Sequence, residues 1–212
     1  MGKLNIAPTK SNLLQVKRDL ALAAEGFGLL EQKREILVIE LMRRLEEVRV
    51  AQARLRSAQQ TAYAALRQAI ARNGAHRLAA LAAGVRYPHA VTAGSRVTAG
   101  VRVPEVGAEA AKPAAKFGFA GSDATVDATM REFLELLGAV GAMAELETAV
   151  WKLAQELKKT QRRVNALEQL FIPAYKETLK FIGETLEGKE LDSFFVMKLI
   201  KKQLAAKEED RG

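Results

Sequence analysis

The sequence predicts a mainly α protein: a long antiparallel two-helix, left-handed coiled coil with a small β-hairpin and loop inserted between the helices. Three observations predict it. Apolar residues return every seven positions in both halves of the chain, Gly and Pro punctuate the middle, and only 6% of residues are aromatic. A sustained heptad specifies a left-handed supercoil that buries a thin stripe rather than a large compact core. The expected organisation is 1–72 for a lead and first helix, 73–124 for hairpin and loop, and 125–212 for a second, longer helix.

Residues 1–9 read as an unstructured lead, with Pro8 as a helix-entry signal and Thr9 or Ser11 as the cap. The first helix, roughly 10–72 and about 90 Å long, repeats Leu13, Leu20, Phe27, Arg34, Leu41, Val48, Leu55, Ala62 and Ala69. Leu30, Leu37, Leu45, Ala58 and Ala65 fill the companion positions. Arg34 on the seam is a polar residue of the kind that sets register at some cost in stability. Gly26 and Gly28 read either as loose packing or as close approach of a neighbour.

Asn73-Gly74 ends that helix, and 73–124 breaks the helical period. Short β-branched runs at His89–Thr92 and Arg96–Val103 predict a small hairpin of low stability. Residues 107–124 read as loop, with a disordered linker as the alternative.

Ser122-Asp123 then caps a second helix over about 124–207. Its seam pairs are Leu136/Ala139, Met143/Leu146, Val150/Leu153, Leu157/Thr160, Val164/Leu167, Phe171/Ala174 and Thr178/Phe181. Pro173 falls inside this helix, where it removes a backbone hydrogen bond at about 3 kcal/mol. The heptad pattern resumes directly after it.

If Arg72 sits near Thr125, Phe27 faces the Phe171 region and Leu13 the Thr185 region. Small residues at 53–59 then meet small residues at 138–144, and closest approach is expected around Ala58/Ala139. Residues beyond 185 overhang the first helix. That leaves Phe194, Phe195, Val196, Leu199, Ile200 and Leu204 with only the lead, Leu4 and Ile6 above all, as an intramolecular cover. Exposed apolar surface of that size marks a binding site.

The net charge of +8 is local. Nine Arg and no Lys or acid lie between Val48 and Pro104, and without them 24 basic residues meet 25 acidic ones. A positive field confined to one third of the chain suits an acidic protein surface, nucleic acid or anionic lipid. Only Tyr63 and Tyr87 in that block offer stacking for nucleic acid.

Chemistry is sparse. There is no Cys, no GxxxxGK[ST] loop and no GxGxxG opening a helix, and His76 and His89 have no carboxylates nearby in sequence. Glu46-Glu47 and Glu208-Glu209-Asp210 read as solvated charge. No catalytic, metal or cofactor site is expected. The absence of Cys fits a reducing cytoplasm. The start lacks the apolar region of a signal peptide and the Ser or Thr that myristoylation requires. No run approaches the roughly 20 apolar residues that span a bilayer. A membrane role is therefore expected through partners only.

The stretch KKTQRRVNALEQLFIP, Lys158–Pro173, resembles the strongest signature of the D subunits of the V/A-type rotary ATPases, with Asn165, Glu168 and Pro173 as motif residues. LLQVKRDLALAAEGFGLLEQKREIL, GVRVPEV and LDSFFVMKLIKK resemble the family's first helix, hairpin and C-terminal segment. Glu31 stands where a basic residue is more usual, and SRVTA departs from the usual wording. The resemblance implies a non-catalytic central-stalk shaft for ATP synthesis or ion transport. Its termini would enter a hexamer of A and B subunits, its middle would bind the small F subunit, and its far end would seat in a membrane-side rotor adaptor. It implies no nucleic-acid partner and no direct membrane insertion. The expected ring contacts are Lys3, Lys10, Lys17, Arg18, Phe194, Phe195, Lys198, Lys201 and Lys202, with Lys158, Lys159, Arg162 and Arg163 meeting acidic ring loops. Glu168 is expected to be available to pair across the shaft. The alternatives are a basic coiled-coil scaffold and a nucleic-acid-binding protein.

Overall fold

A heptad-patterned chain with capped helix ends forms long helices, and a computed structural model shows them. It describes residues 2–85, 90–109 and 122–209. The elements are α1 (Lys10–Asn73), α2 (Ala75–Gly84), β1 (Ala90–Thr98), β2 (Val101–Glu109), α3 (Ala124–Ala166), a π-helical turn (Leu167–Phe171) and α4 (Ile172–Glu209). Much of the segment read as loop or linker, 110–121, lies outside the described residues, as do His89 and the side chain of Leu204. The chain divides into two packed units, one of Glu35–Lys158 and one of Met1–Arg34 with Lys159–Gly212.

In the unit Glu35–Lys158, α1 and α3 run antiparallel in the expected register. Arg72 reaches Asp123 at 3.6 Å, and the rings of Tyr63 and Phe133 meet edge to face at 5.6 Å. The joint between the helices is polar. Asn73 Nδ2 donates to Asp123 Oδ1 at 3.0 Å and to Ala69 O at 3.1 Å. Asp123 also caps α3, accepting the Thr125 N–H at 3.0 Å and the Thr125 hydroxyl. These bonds hold its pKa down, from an ordinary 3.8 to about 2.

The core of this unit is Leu37, Val103, Ala149 and Leu153, with Leu41, Ala99, Val101 and Leu157 packed against it. Burying side chains of this size contributes about 1.5–3 kcal/mol for each large aliphatic residue. The hairpin thus lies on the coiled coil, anchored by Val103 and by a Val106 N–H donated to Glu145 Oε2 at 3.1 Å. Its turn falls at Ala99 (φ 51) and Gly100 (φ 74). Two left-handed residues in a row make the turn whose twist suits a hairpin. That turn divides the Arg96–Val103 run, which reads in the sequence as one β-branched stretch. At Gly107 a Cβ would collide with the Thr92 hydroxyl unless that side chain turned away.

Two elements of this unit differ from the sequence expectation. Residues 75–84 form α2 rather than loop. The seam companion after Leu41 is Arg44, 8% exposed, and not Leu45, 36% exposed. Arg44 is tolerated there because Glu40 and Glu47, one turn either side, take its guanidinium at 3.0 Å each. A Cβ at Gly138 would meet nothing within 4 Å. On α1 the fully buried residues of this unit are Leu37, Ala62 and Ala69.

In the unit of 1–34 and 159–212, α1 again runs antiparallel to its partner, with Arg34 Nη1 donating to Gln161 Oε1 at 3.4 Å. Thr9 caps α1 by accepting the Asn12 N–H at 3.2 Å. The buried residues are Val16, Thr160, Val164, Thr178 and Ile182. Gly26 and Gly28 have open space around a Cβ, which favours the loose-packing reading.

Pro173 is accommodated without ending the helix. In a regular α-helix its ring would press on the carbonyl of Gln169. Instead the preceding turn widens, and the Ile172 N–H reaches back five residues to Leu167 O. Phe171, expected in the seam, lies in this wide turn and is half exposed; Thr178, one heptad on, stays fully buried, and Ile182 is buried one place after the expected Phe181. Thr178 and Phe181 receive the lead. The Leu4 N–H donates to Thr178 Oγ1 at 2.9 Å, and the Lys3 ammonium sits 3.4 Å from the centre of the Phe181 ring.

Candidate partner-binding surfaces

The lead, docked at Thr178 and Phe181, leaves the described side chains of α4 beyond Glu190 uncovered. Leu191, Phe194, Phe195, Val196, Met197, Leu199 and Ile200 are all exposed, Phe194 and Phe195 by 58% and 60%. Lys198, Lys201 and Lys202 are exposed beside them. Phe195, Lys198, Leu199, Lys201 and Lys202 line a shallow groove of about 510 Å³. Apolar surface carried beside lysines suits a partner that offers both an apolar sleeve and acidic side chains.

The other expected contact residues fall into three groups. Lys3 and Lys10 are held against α4: Lys3 over Phe181, and Lys10 to Glu190 Oε1 at 2.7 Å. That hydrogen bond, with the attraction between the charges, raises the Lys10 pKa and lowers that of Glu190. Lys17 and Arg18 stand exposed on α1. Lys158, Lys159, Arg162 and Arg163 are exposed on α3.

Asn165, Glu168 and Pro173 are exposed as well. Asn165 Oδ1 accepts from Gln161 Nε2 at 2.7 Å. Gln161 in turn accepts from Arg34, whose Nη2 donates to Glu31 Oε1 at 2.9 Å. Asn165 therefore ends a polar chain that crosses from α3 to α1 and fixes the register at seam residue Arg34. Glu31, unusual in sequence, supplies the carboxylate at the other end. Gln161 does not stand out in the sequence, because its role needs residues more than a hundred positions away.

The unit Glu35–Lys158 carries two surfaces that sequence reasoning missed. One is the outer face of α1, where Ile36, Val38, Ile39 and Met42 are exposed, Ile39 by 70%. These residues lie off the seam, so heptad counting passes over them. The other is an apolar groove of about 540 Å³ between α2, α1 and α3, lined among others by Leu66, Leu78, Leu81, Met130 and Phe133. Arg67, Arg72 and Arg77 are exposed on the same helices.

Among the described residues, no group of three or more His, Cys, Asp or Glu is placed to hold a metal ion. Among them too, no helix is long and apolar enough to cross a membrane.

Comparison with known proteins adds a direct relation. The profile of the ATP synthase D-subunit family matches residues 12–202. The chain is 41% identical over 199 residues to a V-type ATP synthase D subunit, numbered 2, of Treponema pallidum, covering 94% of this chain and 95% of that one. It is 36% identical over 202 residues to the V-type ATP synthase D subunit of Thermotoga neapolitana, covering 95% and 100%. To the A-type ATP synthase D subunit of Pyrococcus abyssi it is 35% identical over 208 residues, 97% of each chain.

Proposed function

The chain belongs to the ATP synthase D-subunit family of V- and A-type complexes, and from that premise we propose that it is the central rotor shaft of a rotary ATPase. The observation that carries the reading is the uncovered apolar and basic end of α4, Leu191–Lys202. A chain that folds two helices together, then leaves two Phe, two Leu, an Ile and three Lys in water, is built to be surrounded by something else. We assign that end, with Lys3, Lys10, Lys17 and Arg18, to the catalytic hexamer of A and B subunits. Lys158, Lys159, Arg162 and Arg163 meet acidic loops of the same ring. The F subunit takes the exposed α1 face at Ile36–Met42. The arginine-bearing end with the α2 groove seats in the membrane-side adaptor.

The shaft performs no bond chemistry in this reading. It couples ATP synthesis or hydrolysis in the hexamer to ion translocation through differences in contact free energy. Each orientation of an asymmetric shaft favours a different state of the subunits around it, and each state favours an orientation in return. The chain reaches the membrane only through its complex.

The test is reconstitution. Purified chain mixed with the A, B and F subunits of its own organism should join an ATP-hydrolysing complex. A chain cut after Glu190 should keep the F subunit and lose the hexamer. Full hexamer binding by the cut chain would overturn the assignment of that end.

A further inference from the structure

The lead alternates. Leu4, Ile6 and Pro8 are half-buried, while Asn5, Ala7 and Thr9 are exposed. Side chains that alternate in this way belong to an extended strip laid on a surface. That surface is α4. The Leu4 N–H donates to Thr178 Oγ1, and Lys10 meets Glu190. From Thr178 to Glu190 the helix rises about 18 Å, a distance that the extended chain from Leu4 to Lys10 can reach. The lead therefore runs alongside α4 in the same direction and then turns back as α1. The corner is fastened, because Ala7 O accepts the Thr9 N–H at 3.0 Å and Asn12 Nδ2 at 2.8 Å. The far end is fastened too. The Thr178 hydroxyl donates to Ala174 O at 2.7 Å while it accepts from Leu4, and Lys3 lies on the Phe181 ring.

The stretch of α4 beside the lead is weak as a helix. It contains Gly183 and Gly188, and glycine inside a helix gives up the most backbone freedom and brings no side chain. Neither glycine makes room for a neighbour, since a Cβ at either would meet nothing within 4 Å. Their physical effect is to loosen the helix just before Leu191, where the uncovered residues begin. The lead lies along this stretch and is tied down at both ends of it.

We propose that the lead is a splint, and that Lys3, Lys10, Thr178 and Glu190 are positioning residues. They hold α4 straight across Gly183 and Gly188, so that its uncovered end meets the hexamer in one orientation. This rests on the reading that Leu191–Lys202 enters the hexamer. It gives Lys3 and Lys10 their part in binding through α4 rather than by touching the ring.

The experiment measures the affinity of the full chain for the A/B hexamer, with residue-level amide exchange on the same variants free in solution. Glu190→Lys is the sharpest variant, because two accounts predict opposite signs. Long-range attraction by acidic ring loops would turn the added positive charge into tighter binding. The splint predicts binding about threefold weaker, since the new lysine repels Lys10. Adding Lys10→Glu restores the pair and should return affinity to within about twofold of the parent chain. Thr178→Val removes the hydroxyl that holds Leu4. It should weaken binding about fivefold and speed exchange of the amides between 183 and 194 by a similar factor. Thr178→Ser keeps the hydroxyl and should bind like the parent. Gly183→Ala with Gly188→Ala, added to Thr178→Val, should recover affinity to within about twofold, because the stiffer helix no longer needs the splint. Tighter binding by Glu190→Lys, or a charge swap that stays weak, overturns the splint and leaves the hexamer assignment standing. A parent chain that does not bind the hexamer takes down both. The charge pair is exposed, so its variants decide the matter even if Thr178→Val fails to fold.

Discussion

Leu37 and Leu153 have no exposed surface, while Phe194 and Phe195 are more than half exposed. All four sit on long helices with similar apolar spacing. The difference is what lies opposite. Leu37 and Leu153 have each other's helices and the tip of a hairpin. Phe194 and Phe195 lie beyond the lead, which docks at Thr178 and Phe181. Apolar periodicity therefore marks surface that must be covered, and chain geometry decides whether the cover is this molecule or another.

The largest expected effect tests the covered region. Leu153→Ala removes a fully buried side chain and should destabilise the chain by about 2–5 kcal/mol, read as a lower midpoint in urea unfolding. Phe194→Ser with Phe195→Ser should do the reverse. Stability should stay within about 0.5 kcal/mol, while affinity for the A/B hexamer falls at least tenfold. A large loss of stability in that double variant would mean that α4 has a cover within the chain after all.

Pro173→Ala sharpens the same comparison at the π turn. Without the ring the turn is free to close to regular α-helix, which would turn Phe171 back toward the seam and Ile182 out of it. Fluorescence quenching of a Trp placed at Phe171 should show lower exposure in the alanine variant than in the parent. Equal exposure would show that the tertiary fit, and not the proline, holds the wide turn.

The smallest effect is electrostatic. Asp123 is depressed from 3.8 to about 2 by the Thr125 hydroxyl and then by Asn73. A lowered folded-state pKa contributes stability that is complete above the unfolded value and fades as pH falls through the folded one. The helix joint should therefore loosen between about pH 4 and pH 2. Asp123→Asn should flatten that part of the stability profile, measured by thermal unfolding across the range. An unchanged slope would remove Asp123 as the cause.

Local features were legible in the sequence. Thr9 and Asp123 cap the helices because short oxygen-bearing side chains satisfy free N–H groups at helix starts. The antiparallel register followed from the compact connection between the helices, and Arg72 does lie beside Asp123. What was not legible depended on distant partners. Arg44 enters the seam because Glu40 and Glu47 neutralise it, a choice that apolar counting passes over. Phe171 sits in the widened turn two residues before Pro173 and is half exposed, which heptad counting does not show. The hairpin's anchorage at Leu37 and Leu153 joins residues fifty or more positions apart in sequence. Of the candidate site, the uncovered end of α4 could be read from chain lengths alone. The exposed Ile36–Met42 face and the apolar groove beside α2 needed coordinates.

Under the proposed function this chain turns inside a ring. The most direct measurement fixes the A/B hexamer to a surface, attaches a bead to this chain at an exposed cysteine placed on α2, and adds ATP. Stepwise rotation in one sense, lost when α4 is cut after Glu190, is the predicted result. A bead that stays still while the hexamer hydrolyses ATP at its full rate would contradict it.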